Sequence, residues 1–350
     1  SAASDVYKRQ GDKGETMITQ KEIAERLGVS RTTVARAING SSLIKEETKR
    51  KILELVKETN YEKNYIGSSL GSKKGKKVCA LVVDSKNQFY TYEIKRGIEE
   101  SVREFKAYNY NIETVTTDIN DPKAQIKELE KIVRRKDLDG IIITPLDKKK
   151  AYEILKPYLK KLRIISLGIR LHEDIAHVGP DHEKQGKIAA GIMLNLLRTG
   201  EKLLVIDNGD DKVSSKRYLN GFMKRIIKTD IEVVGPIEGN GIESSIDIIE
   251  NMCKQEDIKG IYINRYAHDI LAKLPEKVLK DKKVVTNGIG RIIKELLKKR
   301  IITATVMEEI SSEGYSAGKK MFETLCKEKD LDKVWDISKS RIIFYENLED

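Results

Sequence analysis

The sequence predicts an α/β protein: a small all-α helix-turn-helix head, joined by a linker to a two-lobed body with parallel sheets. Three observations carry this. Residues 18 to 59 repeat apolar side chains at helical spacing. Beyond Lys77, short apolar runs alternate with amphipathic helical stretches, the strand-helix-strand order of parallel sheets with right-handed crossovers. Two such series follow one another, which implies two lobes, and 350 residues exceed one core of average size.

In the head, Thr19 followed by Glu22 forms a capping box, so a helix starts there. It carries Ile23, Ala24 and Leu27 on one face and meets Gly28, the residue that most cheaply adopts the left-handed backbone of a tight turn. Ser30 caps a second helix, whose Val34 and Ile38 join the same core. Arg31, Thr32, Ala35, Arg36 and Asn39 are left facing outward. Two helices across a Gly turn, the second exposing Arg and small hydrogen-bonding side chains, form the hairpin that lays its second helix in the major groove. A third helix from Glu46 to Thr59, with Ile52, Leu55 and Val56 inward, closes the head, since a lone hairpin buries too little surface to stay folded.

Charge agrees. Residues 17 to 77 hold 14 Lys and Arg against 7 Asp and Glu, so +7 of the chain's +11 lies there, which points to a polyanion partner for that module. Cys79, Cys253 and Cys326 have no paired spacing and are expected as buried thiols in a reducing cytosol. The four His, at 172, 177, 182 and 268, form no metal spacing. No run of about 18 apolar residues exists, so no membrane partner is expected. Residues 1–16 lack apolar periodicity, and SAASDVYKRQ resembles translated sequencing-adapter read-through, so Met17 is the expected start.

After Asn60 and Tyr61, the segment EKNYIGSSLGSKKGKK reads by composition as a flexible basic linker, with Leu70 an anomalous large apolar residue. Together VSRTTVARAING, ETNYEKN and NYIGSSLG ahead of a long body resemble the LacI/GalR family of transcriptional repressors. The resemblance implies that Asn64 to Gly71 is a hinge, helical on operator DNA, with Leu70 wedged into the minor groove. Gly67, where the family has Ala, weakens such a helix by about 1 kcal/mol. The alternative is a plain tether. Lys45 stands where Ser or Thr normally caps the third helix. By the same match Arg31 and Thr32 touch base edges, Ser30 and Thr33 hold phosphates, and Arg36 takes either role. The match implies residues 17–63 as the DNA-binding domain, 64–76 as hinge and 77–350 as a type I periplasmic-binding-protein-like effector domain. Its N-lobe is expected over 77–179 plus 307–335 and its C-lobe over 180–306 plus 336–350.

In the body, VCALVV, YNIETVTT, GIIIT and RIISLG are strand candidates, separated by helices at 90–105, 122–135 and 149–160. KLLVID, IEVVG, GIYIN and KVVTNG form the second series, with helices at 214–228, 242–254 and 268–274. No GxGxxG or GxxxxGK[ST] follows a strand, which disfavours a nucleotide-binding enzyme. Ligands of open parallel sheets sit beyond the carboxyl ends of the strands. That places Asn87, Phe89, Tyr90, Pro145, Arg170, Asp181, Ser214, Arg217, Tyr218, Asn264, Arg265, Asn287 and Glu308 as candidate effector-binding residues.

Against the family pattern, NQFY stands for the NPFF-like loop and Asp181 leads D-x-x-x-x-G. Tyr218 holds the place of an Arg, Asn264-Arg265 that of Asn-Asp, Asn287 that of Asp, and Glu308 that of Gln. These changes make a neutral hexose a poor fit. Arg170, Arg217 and Arg265, if they converge, suit a carboxylate or phosphate. A sugar, sugar acid or sugar phosphate is the expected effector, with no cofactor.

Two function classes follow. One is a cytoplasmic, ligand-responsive regulator that binds a palindromic operator in double-stranded DNA as a homodimer, with the helix near Tyr90 to Phe105 as first choice for the dimer contact. The alternative is a solute-binding or sugar-modifying protein on the same body. Catalysis needs a nucleophile or an oriented acid/base pair, and the sequence offers none. The tail ends in strand-like RIIFY without a leucine-heptad helix, so no tetramer is expected.

Overall fold

The computed structural model describes residues 18–38, 44–59, 75–85, 88–327, 329, 331 and 335–348. The leader at 1–16, the hinge with Asn64 and Leu70, and the site residues Asn39 and Asn87 lie outside them.

The chain divides at Gly71 into two units. The head holds α1 (Gln20–Arg26), α2 (Arg31–Ile38) and α3 (Glu46–Glu58). Thr19 Oγ1 accepts from Glu22 N at 3.2 Å and Thr19 N donates to Glu22 Oε2 at 2.6 Å, so the capping box forms as the sequence predicts. Gly28 takes φ +61°, which turns the chain into α2, where Ser30 Oγ accepts from Thr33 N at 3.0 Å. Ile23, Ala24, Val34, Ala37 and Ile52 are the buried core, one group from each helix, so no helix is stable without the other two. Lys45 makes no side-chain cap at α3.

The body contains two six-stranded sheets. The first runs β11-β5-β4-β3-β1-β2, from β1 (Lys76–Asp84), β2 (Tyr110–Asp118), β3 (Gly140–Ile143), β4 (Arg163–Leu167), β5 (Ala176–Gly179) and β11 (Trp335–Ile337). The second runs β12-β10-β9-β8-β6-β7, from β6 (Lys202–Asp207), β7 (Glu232–Glu238), β8 (Ile258–Ile263), β9 (Lys283–Asn287), β10 (Ala304–Glu308) and β12 (Ser340–Ile343). Every pairing is parallel except β10 with β12. Val78 to Val83 is buried throughout, as a strand covered on both faces requires.

The helices follow in chain order: α4 (Gln88–Glu104), α5 (Pro122–Arg134), α6 (Lys148–Leu155), α7 (His182–Leu196), α8 (Val213–Ile226), α9 (Ile242–Gln255), α10 (Ala267–Lys273), α11 (Glu276–Leu279), α12 (Arg291–Lys298) and α13 (Ile310–Lys327). The expected helix at 149–160 closes at Leu155, and Pro157 carries a short 3-10 turn at Lys156–Tyr158 instead.

The chain passes between lobes three times: after Gly179, at Glu309 and at Ser338–Lys339. The lobe boundaries therefore differ slightly from the expected ones, because all of β10 stays in the second sheet and all of β11 in the first. The passages are knitted together. Ser338 N donates to Gly179 O at 3.0 Å, and Ser338 Oγ donates to Glu313 Oε1 at 2.6 Å.

Two helix pairs cross at contact distance where glycines face backbone. A Cβ at Gly186 of α7 would lie 2.0 Å from Tyr218 O of α8, and one at Gly97 of α4 would lie 1.9 Å from Ser311 O of α13. These crossings fix Tyr218 and Glu313 in place beside the strand ends.

Candidate DNA-reading face and effector cleft

On the head, burial of Val34 and Ala37 turns Arg31, Thr32 and Arg36 to solvent, with Ala35 half-buried between them. Ser30 and half-buried Thr33 engage each other, their hydroxyl oxygens 2.8 Å apart, so both are tied to the start of α2. No carboxylate among the described residues pairs with Arg31 or Arg36. The exposed face of α2 thus offers Arg31 and the Thr32 hydroxyl in its first turn and Arg36 in its last, together with the helix N-terminus that favours phosphate.

In the body, the carboxyl ends of the two sheets bring most of the candidate residues together. Phe89, at the start of α4, packs against the apolar cores of both lobes. Half-buried Tyr90 directs its hydroxyl to the end of β4, where a Cβ at Gly168 would lie 2.9 Å away. Burial pushes its phenol well above the usual range, and the charges of Glu313 and Glu308 act in the same direction. Pro145 is buried after β3, and Arg170 is half-buried after β4. Asp181 is exposed at the first passage between lobes and caps α7, accepting from Lys184 N at 2.9 Å, so one oxygen is committed to the helix.

On the second lobe, Arg265 donates through Nη1 to Ser214 Oγ at 2.7 Å, and its Nε lies 3.4 Å from Asp210. Asn264 is turned inward. Its Nδ2 donates to Asp207 Oδ1 at 2.7 Å and its Oδ1 accepts from Asn208 N at 3.2 Å, which makes it a brace between strand ends. Tyr218 is buried edge-on to His182, with ring centroids 5.0 Å apart. Asn287 Oδ1 accepts from Tyr262 Oη at 2.6 Å, and its Nδ2 is buried without a partner among the described residues. Glu308 is buried, accepts from Gln185 Nε2 at 3.2 Å, and has its carboxyl pushed up by burial.

Of the three arginines, Arg170 follows β4 of the first lobe, while Arg217 lies in α8 and Arg265 follows β8 of the second. Burial lowers His177 to about 4, and the charges of Arg170, Arg217 and Lys148 add to that effect. Burial lowers His182 to about 3, with Arg265 and Arg217 acting the same way. Arg217 is exposed and comes from the second lobe, whereas Arg170, His177 and Lys148 belong to the first.

Sequence reasoning missed Lys148, Gln185, Lys212 and Glu313, and weighed His177 and His182 only as metal ligands. Glu313 had a signal: it occupies the apolar stripe of Ile310, Gly314 and Ala317, where a buried carboxyl is conspicuous. Its carboxyl is pushed well above the usual range by burial and by Glu308. Lys148 had none, because it opens a Lys run that looks like solvated surface.

Comparison with known proteins agrees with this architecture. The periplasmic binding protein domain matches residues 79–329, and the DNA-binding domain of the bacterial regulatory proteins of the lacI family matches residues 19–64. The HTH-type transcriptional regulator RegA of Clostridium saccharobutylicum is 36% identical over 122 residues, 35% of each chain. Catabolite control protein A of Staphylococcus aureus is 24% identical over 273 residues, 75% of this chain and 80% of that one. Among solved structures, the glucose-galactose binding protein GanP of Geobacillus stearothermophilus superposes with a TM-score of 0.67 at 18% identity, covering 79% of this chain and 99% of that one. A solute-binding protein of Actinobacillus succinogenes with bound D-allose gives 0.67 at 15% identity, covering 77% and 98%. These likenesses establish the type I fold of the body. Joined to the helix-turn-helix head, it makes the chain a DNA-binding transcriptional regulator, not an enzyme, belonging to the lacI family with a periplasmic-binding-protein domain as its sensor.

Proposed function

We propose that this regulator is a repressor of carbohydrate-related genes, acting in the cytoplasm as a homodimer on a palindromic operator, and that a small hydrophilic effector held between the lobes controls its grip. The observation that carries the proposal is the exposed face of α2, with Arg31, Thr32 and Arg36 turned away from a core that the head builds for itself. A solute-binding protein has no use for such a face. A dimer presents two recognition helices, and two-fold protein symmetry is matched by two-fold symmetry in the DNA.

Arg31 is assigned to a base edge with Thr32 beside it, and Ser30 and Thr33 to phosphates near the helix start. Asn39, Asn64 and Leu70 complete the proposed contact set from the sequence. Effector contacts are assigned to Phe89, Tyr90, Arg170, Arg217, Arg265, Asn287 and Glu308, with Asn87, Pro145, Asp181, Ser214, Tyr218 and Asn264 shaping the site. Effector and operator binding are then linked reciprocally, by about 1 to 3 kcal/mol.

The test is footprinting of the purified protein on genomic fragments, paired with sedimentation of the complex. The proposal expects protection of two half-sites related by a two-fold axis, two chains per duplex, and a promoter of sugar-utilisation genes among the sites. One chain on one half-site, or sites confined to genes unconnected with carbohydrates, would refute it.

A further inference from the structure

We propose that the effector carries a carboxylate or phosphate, clamped between the lobes by Lys148 and Arg170 of the first and Arg217 of the second. This rests on the assignment of the cleft as effector site and narrows it to an anionic polyhydroxyl compound, a sugar acid or a sugar phosphate.

The cationic groups reach the cleft from separate elements. Lys148 is the first residue of α6, just beyond β3, Arg170 follows β4, and Arg217 lies in the second turn of α8. Lys148 and Arg170 follow neighbouring strands of the first sheet, and Arg217 is one residue from Tyr218, whose ring meets His182 just beyond β5; half-burial holds the Lys148 ammonium below its usual range, and the Arg217 and Arg170 charges act in the same direction. Like charges gathered at one cleft repel, more strongly as solvent leaves.

The neighbouring acids are engaged elsewhere. Asp147 caps α6 by accepting from Lys150 N at 3.1 Å, Asp181 caps α7, and Asp210 pairs with Arg265. His177 and His182 are held neutral by burial, with the Arg217 charge acting in the same direction on both. Glu308 and Glu313 are both buried, one bonded to Gln185 and the other to Ser338. No carboxylate among the described residues pairs with Lys148 or Arg217. An anion placed there neutralises the repulsion and bonds to both lobes at once, so its binding also draws the lobes together. Guanidinium groups suit it because carboxylate and phosphate oxygens match their planar fork.

The remainder of the cleft suits hydroxyl groups. Ser215 Oγ and Asn287 Nδ2 are buried without partners among the described residues, and the Tyr90 hydroxyl lies at the end of β4. Buried polar atoms of this kind favour a ligand that supplies the missing bonds.

The test is a thermal-shift titration of the full chain with D-glucose, D-gluconate and D-glucose 6-phosphate, repeated on Lys148→Met, Arg217→Met and Arg31→Ala. We expect at least one anion to raise the melting temperature while D-glucose leaves it unchanged. Gluconate alone identifies a carboxylate, and glucose 6-phosphate alone a phosphate. The two cleft variants should bind about tenfold or more weakly, with Arg31→Ala unaffected. A shift with D-glucose and not with the anions overturns the inference while leaving the cleft an effector site. Anion shifts undiminished in both cleft variants place binding elsewhere and also overturn it. Silence from all three compounds counts against this inference and against the cleft assignment beneath it.

Discussion

Lys212 donates from Nζ to the backbone oxygen of Ile119 at 3.1 Å and to Asn120 Oδ1 at 3.2 Å, tying the start of the second lobe's α8 to the loop after β2 of the first. These bonds span the mouth of the cleft and exist only while the lobes are together. Half-exposure of Lys212 limits their net worth to about 1 kcal/mol. Lys212→Ala should therefore open the body, read as a larger radius of gyration by small-angle X-ray scattering and a severalfold weaker effector. An unchanged scattering profile would show that the latch does not govern closure.

The buried acids make stability fall with rising pH. Glu313 has its carboxyl well above the usual 4.5, so the folded state holds the proton more tightly than the unfolded chain. That stabilisation is complete below about pH 4.5 and is lost as pH rises through the raised value, at about 1.4 kcal/mol per unit of displacement. Glu313→Gln keeps an acceptor for Ser338 and removes the buried charge. Its melting temperature should exceed the wild type's at pH 8 and converge with it near pH 4. A lower melting temperature at pH 8 would refute the assignment.

The buried histidines act oppositely. With folded values of about 4 for His177 and about 3 for His182 against the usual 6.5, their contribution is full above pH 6.5 and declines as pH falls toward 4. In a proton NMR titration these two rings should stay neutral at pH 5.5. Ordinary titration of both near 6.5 would contradict the buried placement.

Helix crossings give a paired test on α7. Gly186→Ala drives a methyl to 2.0 Å from the Tyr218 carbonyl oxygen, which only separation of α7 and α8 relieves, at about 2 kcal/mol. Gly191 on the same helix faces open space, so Gly191→Ala should stabilise by about 1 kcal/mol through helix propensity. Urea unfolding measures both, and equal effects would refute the close crossing.

Much of this architecture is written in local pattern. The capping box at Thr19, the Gly28 turn and the Val34 spacing predict the head because each rests on neighbours within four residues. The strand runs are equally plain, since strands covered on both faces are continuous apolar segments. Helices α7 and α13 are not legible, because they bury Gly, Ala, Gln and Glu at helix crossings and so blur the apolar stripe, whereas α12 buries Ile293, Leu296 and Leu297 in a plain stripe that the sequence reading passes over. The cleft was legible as residue types at strand ends but not as pairings. Asn264 looks like a ligand contact and is a brace; Lys148 looks like surface and stands half-buried at the start of α6, just beyond β3. Such facts depend on contacts between residues far apart in the chain.

The central claim, that α2 reads duplex DNA, is tested most directly by fluorescence anisotropy on a footprinted operator and a scrambled duplex, with wild type and Arg31→Ala at several salt concentrations. The account predicts that Arg31→Ala loses about 1 to 3 kcal/mol on the operator and little on the scrambled sequence. Equal binding of the two duplexes by wild type, or an operator affinity unmoved by Arg31→Ala, would contradict it.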